Sequence, residues 1–119
     1  MSKANLEEKF AQFSDHWNPR IVAELNGQQV KVAKLLGEFD WHAHQAEDEL
    51  FWVIRGELKI ELENDSICLG PNELYVVPRG VQHRPVATEE VWVVLFEPAS
   101  TINTGEVASE RTRTDLERL

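Results

Sequence analysis

Residues 42–56 read HAHQAEDELFWVIRG, and this stretch decides the fold. Two histidines separated by one residue precede an acidic run, and a block of bulky apolar residues then ends at Gly56. The apolar block is typical of a β-strand that is covered on both faces. Imidazoles and carboxylates next to such a strand are costly to bury unless they bind something, so the stretch also points to a site.

The strand pattern continues on both sides of this stretch. Short segments rich in β-branched and aromatic residues alternate with Gly-, Pro- and Asn-containing turns at intervals of roughly 8–12 residues. The predicted strands are IVAEL, QVKVAKLL, ELFWVI, ELKIEL, SICL, ELYVV, HRPVA and VWVVLFE. About eight short strands with this punctuation predict an all-β fold, an antiparallel sandwich or barrel.

The chain divides into three predicted parts. In residues 1–19, Leu6, Phe10 and Phe13 recur at helical spacing, which predicts a short amphipathic helix over residues 4–13 and then a lead-in. Residues 20–97 carry the strands of the barrel. Residues 98–119 are polar and are predicted to form an extended tail with few anchors. The outer face of the barrel is expected to be covered by the helix or by a second subunit.

Bulk properties narrow the function. A chain of 119 residues fits one domain, and its net charge of −9 argues against a nucleic-acid partner. The single cysteine, Cys68, excludes an internal disulfide and favours a reducing compartment. The charged start lacks a signal-peptide core, and no apolar run approaches membrane-spanning length. We therefore expect a cytoplasmic protein with no membrane partner.

Four side chains are candidate metal ligands. Residues of a strand alternate between its faces, so His42 and His44 point the same way and can bind a common ion. Glu49 opens the next strand and faces this pair if the intervening turn folds back. His83 is expected to be the first inward residue of a later strand, after a Pro-Arg-Gly turn.

Three imidazoles and one carboxylate form a mixed nitrogen and oxygen ligand set. Such a set suits one divalent ion, Fe, Mn, Ni, Co or Zn. Four protein ligands would leave coordination positions open for water or a substrate, as in catalytic rather than closed structural metal sites.

These residues resemble the two motifs of the cupin superfamily, and specifically its small single-domain members. The first motif is matched by Gly37, His42, His44, Glu49 and Gly56, and the second by Gly70, Pro78, Gly80 and His83. The interval from Gly37 to His42 is one residue short of the usual form, and Ala87 stands where an Asn often follows. The segment EPASTINTG, residues 97–105, is similar to cupins labelled mannose-6-phosphate isomerase-like.

The resemblance implies a double-stranded β-helix, or jelly-roll barrel, with a divalent metal in its mouth and commonly a homodimer. Cupin activities include dioxygenases, isomerases, epimerases, lyases and non-catalytic binders, so the fold does not choose among them. The leading interpretation is a metal-dependent enzyme that acts on a small organic molecule. The alternatives are a metal-containing binding or sensing module and, third, a barrel with a vestigial site. Beyond the metal ligands, no catalytic residue is identified.

Other polar residues have two interpretations. Glu47 shares the parity of Glu49, but the six-residue spacing from Glu49 to Gly56 favours Glu49 as the ligand. Lys31 and Lys34 could face an acidic substrate, but a solvated strand edge is the favoured interpretation.

Cys68 is expected to be a small core residue. For Phe51 a pocket wall and plain barrel core are equally good interpretations, and Tyr75 is expected to pack in a strand. Trp41, Trp52 and Trp92 are expected on the outer face.

Overall fold

The computed structural model describes residues 3–119, which form one short helix and seven strands. The elements are α1 (Leu6–Phe10), β1 (Arg20–Leu25), β2 (Gln28–Glu38), β3 (Glu49–Arg55), β4 (Leu58–Leu62), β5 (Ser66–Leu69), β6 (Leu74–Val77) and β7 (His83–Pro98). No helix within residues 3–119 is long and apolar enough to cross a membrane.

Strand β7 joins the sheets of a jelly-roll barrel. Its start pairs with β4, and its remainder pairs with β2 on one side and β3 on the other. The strand order is β1-β2-β7-β3-β6, with β5 added outside β4, and every pairing between strands is antiparallel. The all-β jelly-roll fold predicted from the sequence is confirmed.

The predicted strand count is one too high, because HRPVA and VWVVLFE belong to the single strand β7. Residues 88–90 between them are polar and exposed, yet their backbone stays extended. The register of β2 against β7 shifts between Leu35 and Gly37, and Gly37 has a φ of +90°. The strand therefore bends without a turn, so side-chain polarity alone suggested a break that does not exist.

Helix α1 is shorter than the predicted helix over residues 4–13. The Asn5 side chain accepts a hydrogen bond from the Glu8 N–H at 3.0 Å and caps its start, and the helix ends at Phe10. The cover role is nevertheless confirmed. Phe10 and Phe13 pack with Val32 and Val94 in a cluster on the outer face of the sheet, to which Leu6 also contributes.

Inward side chains of the strands fill the barrel. The buried interior residues are Trp17, Ala33, Leu35, Phe39, Phe51, Val53, Leu58, Ile60, Leu69, Val77, Ala87, Val91, Val93 and Leu95, with Tyr75 packed against them. Trp41 and Trp52 are half-exposed, and Trp92 stacks on Phe10 with ring centroids 4.7 Å apart. These placements bear out the outer-face interpretation of the tryptophans and the packing role of Tyr75.

The solvated-edge interpretation of the two lysines is wrong. Lys31 shares the inward face of β2 with Ala33 and forms an ion pair with Glu97 at 2.7 Å, with both side chains 2% exposed. Lys34 lies on the outer face, where the N-terminal segment covers it, and its Nζ donates to the Phe13 carbonyl at 2.7 Å. Both partners are distant in sequence, so the local pattern could not indicate burial.

Cys68 is exposed, which contradicts its interpretation as a core residue. It shares the face of β5 that carries exposed Ser66, whereas Leu69 on the opposite face is buried. An alternation of only four residues was too short to assign the faces of this strand.

The C-terminal segment is anchored rather than free, contrary to the expectation of few anchors. Thr101 and Thr104 are buried, and the Asn103 side chain bonds the backbone of residues 111 and 113. The Leu119 N–H donates to the Ile21 carbonyl at 2.9 Å. The segment forms no helix or strand of its own, and its hydrogen bonds go to β1, to its own turns and to Glu38, Asp40 and Glu47. Its polar side chains therefore anchor the segment to the barrel.

Candidate metal centre

The four predicted ligands come from three separate parts of the fold. His42 and His44 lie between β2 and β3, Glu49 is the first residue of β3, and His83 is the first residue of β7. His42 and His83 exchange two backbone hydrogen bonds, of 3.0 and 2.9 Å. This isolated bridge fixes two imidazoles from distant parts of the sequence beside each other.

The four side chains form one buried cluster. Each offers a ligand atom, and these atoms all lie within 4.8 Å of one another. The Glu49 Oε1 atom is 3.3 Å from the His44 Nε2 atom and 3.4 Å from the His83 Nε2 atom. All four residues are at most 3% exposed. The structure thus brings together all the residues that the motifs indicated.

Two imidazoles are oriented by backbone carbonyls. The Nδ1 atom of His42 lies 2.8 Å from the Asp40 carbonyl, and that of His83 lies 2.9 Å from the Val81 carbonyl. A protonated Nδ1 that donates to a carbonyl leaves the Nε2 lone pair free, which is the usual support for a metal-binding histidine.

Several ligand atoms are buried with no hydrogen-bond partner. They are both ring nitrogens of His44, the Nε2 atom of His83 and the Oε1 atom of Glu49. An unpartnered buried polar atom costs about 1–3 kcal/mol. A divalent cation among them would satisfy these atoms together, so the cluster fits a metal ion and can hold one.

The protonation states of His42 and Glu49 favour metal binding. Burial, reinforced by the nearby His83 ring, lowers the pKa of His42 to about 4. Burial by itself raises the pKa of Glu49, but its close polar neighbours Glu97, His44 and His83 outweigh this effect and bring that pKa well below its usual value. Neutral imidazole and ionised carboxylate are the forms that coordinate a metal.

A second buried carboxyl group, that of Glu97, lies next to the candidate ligand Glu49. Burial and the neighbouring Glu49 carboxylate raise the pKa of Glu97 well above its usual value, while Lys31 opposes this shift. Glu97 therefore connects the buried lysine to the candidate ligand Glu49. Strand alternation predicts that Glu97 lies on the same inward face of β7 as Leu95. Its contact with Glu49 could not be predicted from the sequence.

The other two acidic residues of the run, Glu47 and Asp48, lie outside the cluster. Glu47 accepts a hydrogen bond from the Ser100 hydroxyl at 2.8 Å, and Asp48 accepts one from the Arg79 backbone at 2.8 Å. Arg84 pairs with surface carboxylates on β2 and β4. The choice of Glu49 over Glu47 agrees with the geometry.

A small pocket with about 30 Å³ of free volume opens beside the cluster. Its lining residues are Trp17, Pro19, Ala33, Leu35, Phe39, His42, Glu49, Phe51, Pro85, Leu95 and Asn103. Phe51 therefore serves as both core and pocket wall. Trp17, Phe39 and Asn103 were missed from the sequence, because they lie outside the motifs and in irregular segments where face parity gives no information.

The C-terminal segment also touches the cluster through Gly105, which has a φ of +61°. A Cβ atom at this position would lie 2.1 Å from the Ala43 carbonyl and 3.4 Å from the His42 ring. Only glycine allows this approach, so the segment presses directly on the histidine-bearing loop.

Comparisons with known proteins agree with the fold. The cupin domain family matches residues 23–97, and the chain belongs to this family. A cupin-2 domain protein of Shewanella frigidimarina is 44% identical, with a TM-score of 0.79 over 80% of this chain and 93% of that one. A protein from Neisseria meningitidis is 30% identical, with a TM-score of 0.75 over 82% of this chain and 99% of that one.

Among curated sequences, the uncharacterised protein YdbB of Bacillus subtilis is 38% identical over 80 residues. The match covers 66% of this chain and 65% of YdbB, slightly less than two thirds of that protein. These relatives establish a small cupin and leave the reaction to be argued from the site.

Proposed function

We propose that this cupin is a metal-dependent enzyme that acts on a small organic molecule. His42, His44, Glu49 and His83 would hold one divalent ion, and the adjacent pocket would receive the substrate. The proposal is supported above all by the four converging ligand atoms within 4.8 Å, several of them buried without a protein partner. The ion would supply a Lewis acid with open positions, or a redox centre if it is Fe(II).

The chain's own residues would perform three tasks around that ion. The carbonyls that accept from His42 and His83 orient two imidazoles, and Glu97 supports the Glu49 carboxylate. The apolar wall around Phe51 excludes water from the reacting groups. The reaction class is of the dioxygenase, isomerase or lyase type.

One observation favours a non-catalytic binding or sensing module as the second candidate. The part of the pocket wall formed by the described residues carries no titratable side chain besides the candidate ligands His42 and Glu49. An enzyme of this design would need the metal, its bound water or the substrate itself to move protons.

The test begins with metal analysis of protein purified from its own host. We expect about one divalent ion per chain in the wild type and none in His44→Ala, which should remain folded. His16→Ala is the matched control, since His16 lies outside the cluster and pairs with Glu90 at the surface. Equal metal content in both variants would refute the site.

Oxygen uptake with thiols, phenols and diketones then separates the two candidates. Substrate-dependent consumption, or product formation without oxygen, supports the enzyme. Tight binding of one of these compounds without turnover supports the binding module. If no divalent ion survives dialysis of protein loaded with each candidate metal, both functions are wrong.

We further propose a homodimer in a reducing cytoplasm. Trp52, Leu74 and Val76 are half-exposed apolar residues on the adjacent strands β3 and β6, a surface suited to self-association. Sedimentation should give twice the chain mass, and Trp52→Asp should give the monomer.

A further inference from the structure

The candidate metal centre is closed to anything much larger than water. All four candidate ligands are at most 3% exposed. The pocket beside them has about 30 Å³ of free volume, which is room for only a few water molecules. Pockets that bind organic ligands have roughly 300–1,000 Å³. A substrate can therefore reach the cluster only after part of the pocket wall has moved.

Irregular segments supply the parts of this wall that lie outside the strands. Trp17 precedes β1, Phe39 follows β2, and Asn103 follows β7. The Trp17 and Phe39 rings stack with centroids 4.6 Å apart and belong to the barrel core, which holds both in place. The Asn103 side chain instead bonds the backbone of residues 111 and 113, within its own segment, at 2.8 Å. The segment that carries Asn103 is therefore the part of the wall best able to move.

Residues 100–112 form this segment, and the chain is fixed on both sides of it. On one side the Ala99 N–H donates to the Gly27 carbonyl at 3.0 Å, and on the other the Ile21 N–H donates to the Glu117 carbonyl at 2.9 Å. In the described chain, residues 100–112 pair with no strand. Movement of this segment therefore breaks no ladder of the barrel.

Ser109 and Arg111 fasten the segment to the histidine-bearing loop, and we call this pair of side chains the latch. The Ser109 hydroxyl donates to the Asp40 carboxylate at 2.6 Å. Arg111 donates to the Glu38 carbonyl, and its guanidinium lies 4.0 Å from the Asp40 carboxylate. Hydrogen bonds and ion pairs at the surface contribute little net free energy, so the latch holds the segment without fixing it permanently.

The closed segment lies directly against a candidate ligand. A Cβ atom at Gly105 would lie 2.1 Å from the Ala43 carbonyl and 3.4 Å from the His42 ring. The carbonyl of Asp40, whose side chain receives the latch, lies 2.8 Å from the His42 Nδ1 atom. Movement of residues 100–112 would therefore uncover the His42 side of the cluster.

We propose that residues 100–112 are a lid over the metal centre, which the latch holds closed and which opens to admit the substrate. The proposal rests on the proposed function, because a lid serves a site that takes up an occupant. Opening breaks surface contacts and leaves the strands and the fixed end at β1 intact. Closure excludes water from the cluster, which is the usual role of a lid in an enzyme.

The first experiment measures metal exchange in the full chain loaded with Zn(II), which is redox-inert. The chelator 4-(2-pyridylazo)resorcinol removes the zinc and reports its release by colour. In Ser109→Ala/Arg111→Met, release and uptake should both be about tenfold faster than in the wild type, because opening precedes both steps. The zinc affinity should therefore stay unchanged. Unchanged rates, or weaker affinity without faster uptake, would overturn the lid.

Arg118→Met is the matched control. Arg118 pairs with Glu24 at the fixed end of the tail. The substitution removes one tail cation, as Arg111→Met does, but leaves the latch in place, so both zinc rates should equal those of the wild type. Acceleration as large as that in the latch variant would show a general loosening of the tail and would overturn the lid.

Chemical modification of the metal-free wild type tests opening without any variant. Diethyl pyrocarbonate reacts with accessible imidazoles, and mass spectrometry locates the products. His16 is partly exposed and serves as the reference, whereas the three cluster histidines react only when the site opens. Their slowing relative to His16 should be smaller than the ratio of folded to unfolded protein obtained from urea denaturation. Equality would mean that they react only in the unfolded chain, which would overturn the lid.

The same modification separates the lid from the proposed function, because it needs no metal. In the latch variant the cluster histidines should react about tenfold faster than in the wild type, with His16 unchanged. If zinc is retained but the latch variant alters no rate, the lid is wrong and the metal function stands. If zinc is not retained, the metal function is wrong, and accelerated modification would still support an opening segment while unchanged modification would overturn it.

Discussion

Two sets of polar groups are buried in this barrel, and they differ in whether the protein satisfies them. The ammonium groups of Lys31 and Lys34 each have a partner 2.7 Å away, a carboxylate and a carbonyl respectively. The ring nitrogens of His44 and the Nε2 atom of His83 have none. We expect the satisfied set to support the folded structure, whereas a bound cation would satisfy the unsatisfied set.

The difference has an energetic consequence. Removing one member of a satisfied pair leaves the other buried and alone, which costs more than the pair contributes. Removing a group that has no protein partner leaves nothing stranded. Unfolding experiments on metal-free protein should therefore distinguish structural polar residues from metal ligands.

The largest effect is expected for Lys31→Met. The substitution keeps the side-chain length but strands the Glu97 carboxyl next to Glu49, so the free energy of unfolding should fall by about 3–5 kcal/mol. Urea denaturation with a chelator present measures it. The double variant Lys31→Met/Glu97→Leu should recover most of the loss. A single variant within 1 kcal/mol of the wild type would show that the ion pair does not support the barrel.

The pH dependence of the metal-free protein probes the candidate ligand His42, which lies in the same cluster as the unsatisfied groups. Burial lowers the pKa of His42 from 6.5 to about 4 in the folded state. As the pH falls, the unfolded state therefore binds this proton at a higher pH than the folded state does. Stability should be full above pH 6.5 and should fall by about 3 kcal/mol as the pH drops toward 4. Urea denaturation across this range measures the loss. In His42→Gln the loss should shrink, and an unchanged slope would contradict the assignment to His42.

The sequence was sufficient to predict the barrel and the convergence of the four candidate ligands, because the strand and motif signals are local. Turn residues and strand alternation gave the elements, and the motif spacing selected Glu49 from an acidic run. Only the extent of the elements was wrong, as in β7, where polar side chains on an extended backbone resembled a turn.

The supporting residues could not be predicted, since they depend on contacts between distant segments. Lys31 and Glu97 are separated by 66 positions, and nothing near either one indicates that the two side chains pair. Trp17 and Asn103 reach the pocket from irregular segments, where no periodicity assigns a face. Long-range polar pairing thus accounts for the wrong expectations for Lys31, Lys34 and the polar tail, whereas the short alternation of β5 accounts for Cys68.

A smaller effect is expected for Lys34→Met. The change removes the donor to the Phe13 carbonyl and the cation beside the Trp92 ring, 4.8 Å from its centroid, so about 1–2 kcal/mol of stability should be lost. Lys59→Met, at a half-exposed position, is the control and should lie within about 0.5 kcal/mol of the wild type. Metal content should not change in either variant, and metal loss in Lys34→Met would connect this site to the cluster.

The smallest effect on stability is expected for His44→Leu. Leucine fills a similar volume without the two unpartnered nitrogens, so the metal-free variant should unfold within about 1 kcal/mol of the wild type, or be more stable. Stoichiometric metal should nevertheless be lost, because the variant lacks one of the four proposed ligands. A loss of stability as large as that expected for Lys31→Met would mean that His44 belongs with the structural set. The distinction between satisfied and unsatisfied groups would then no longer identify the site.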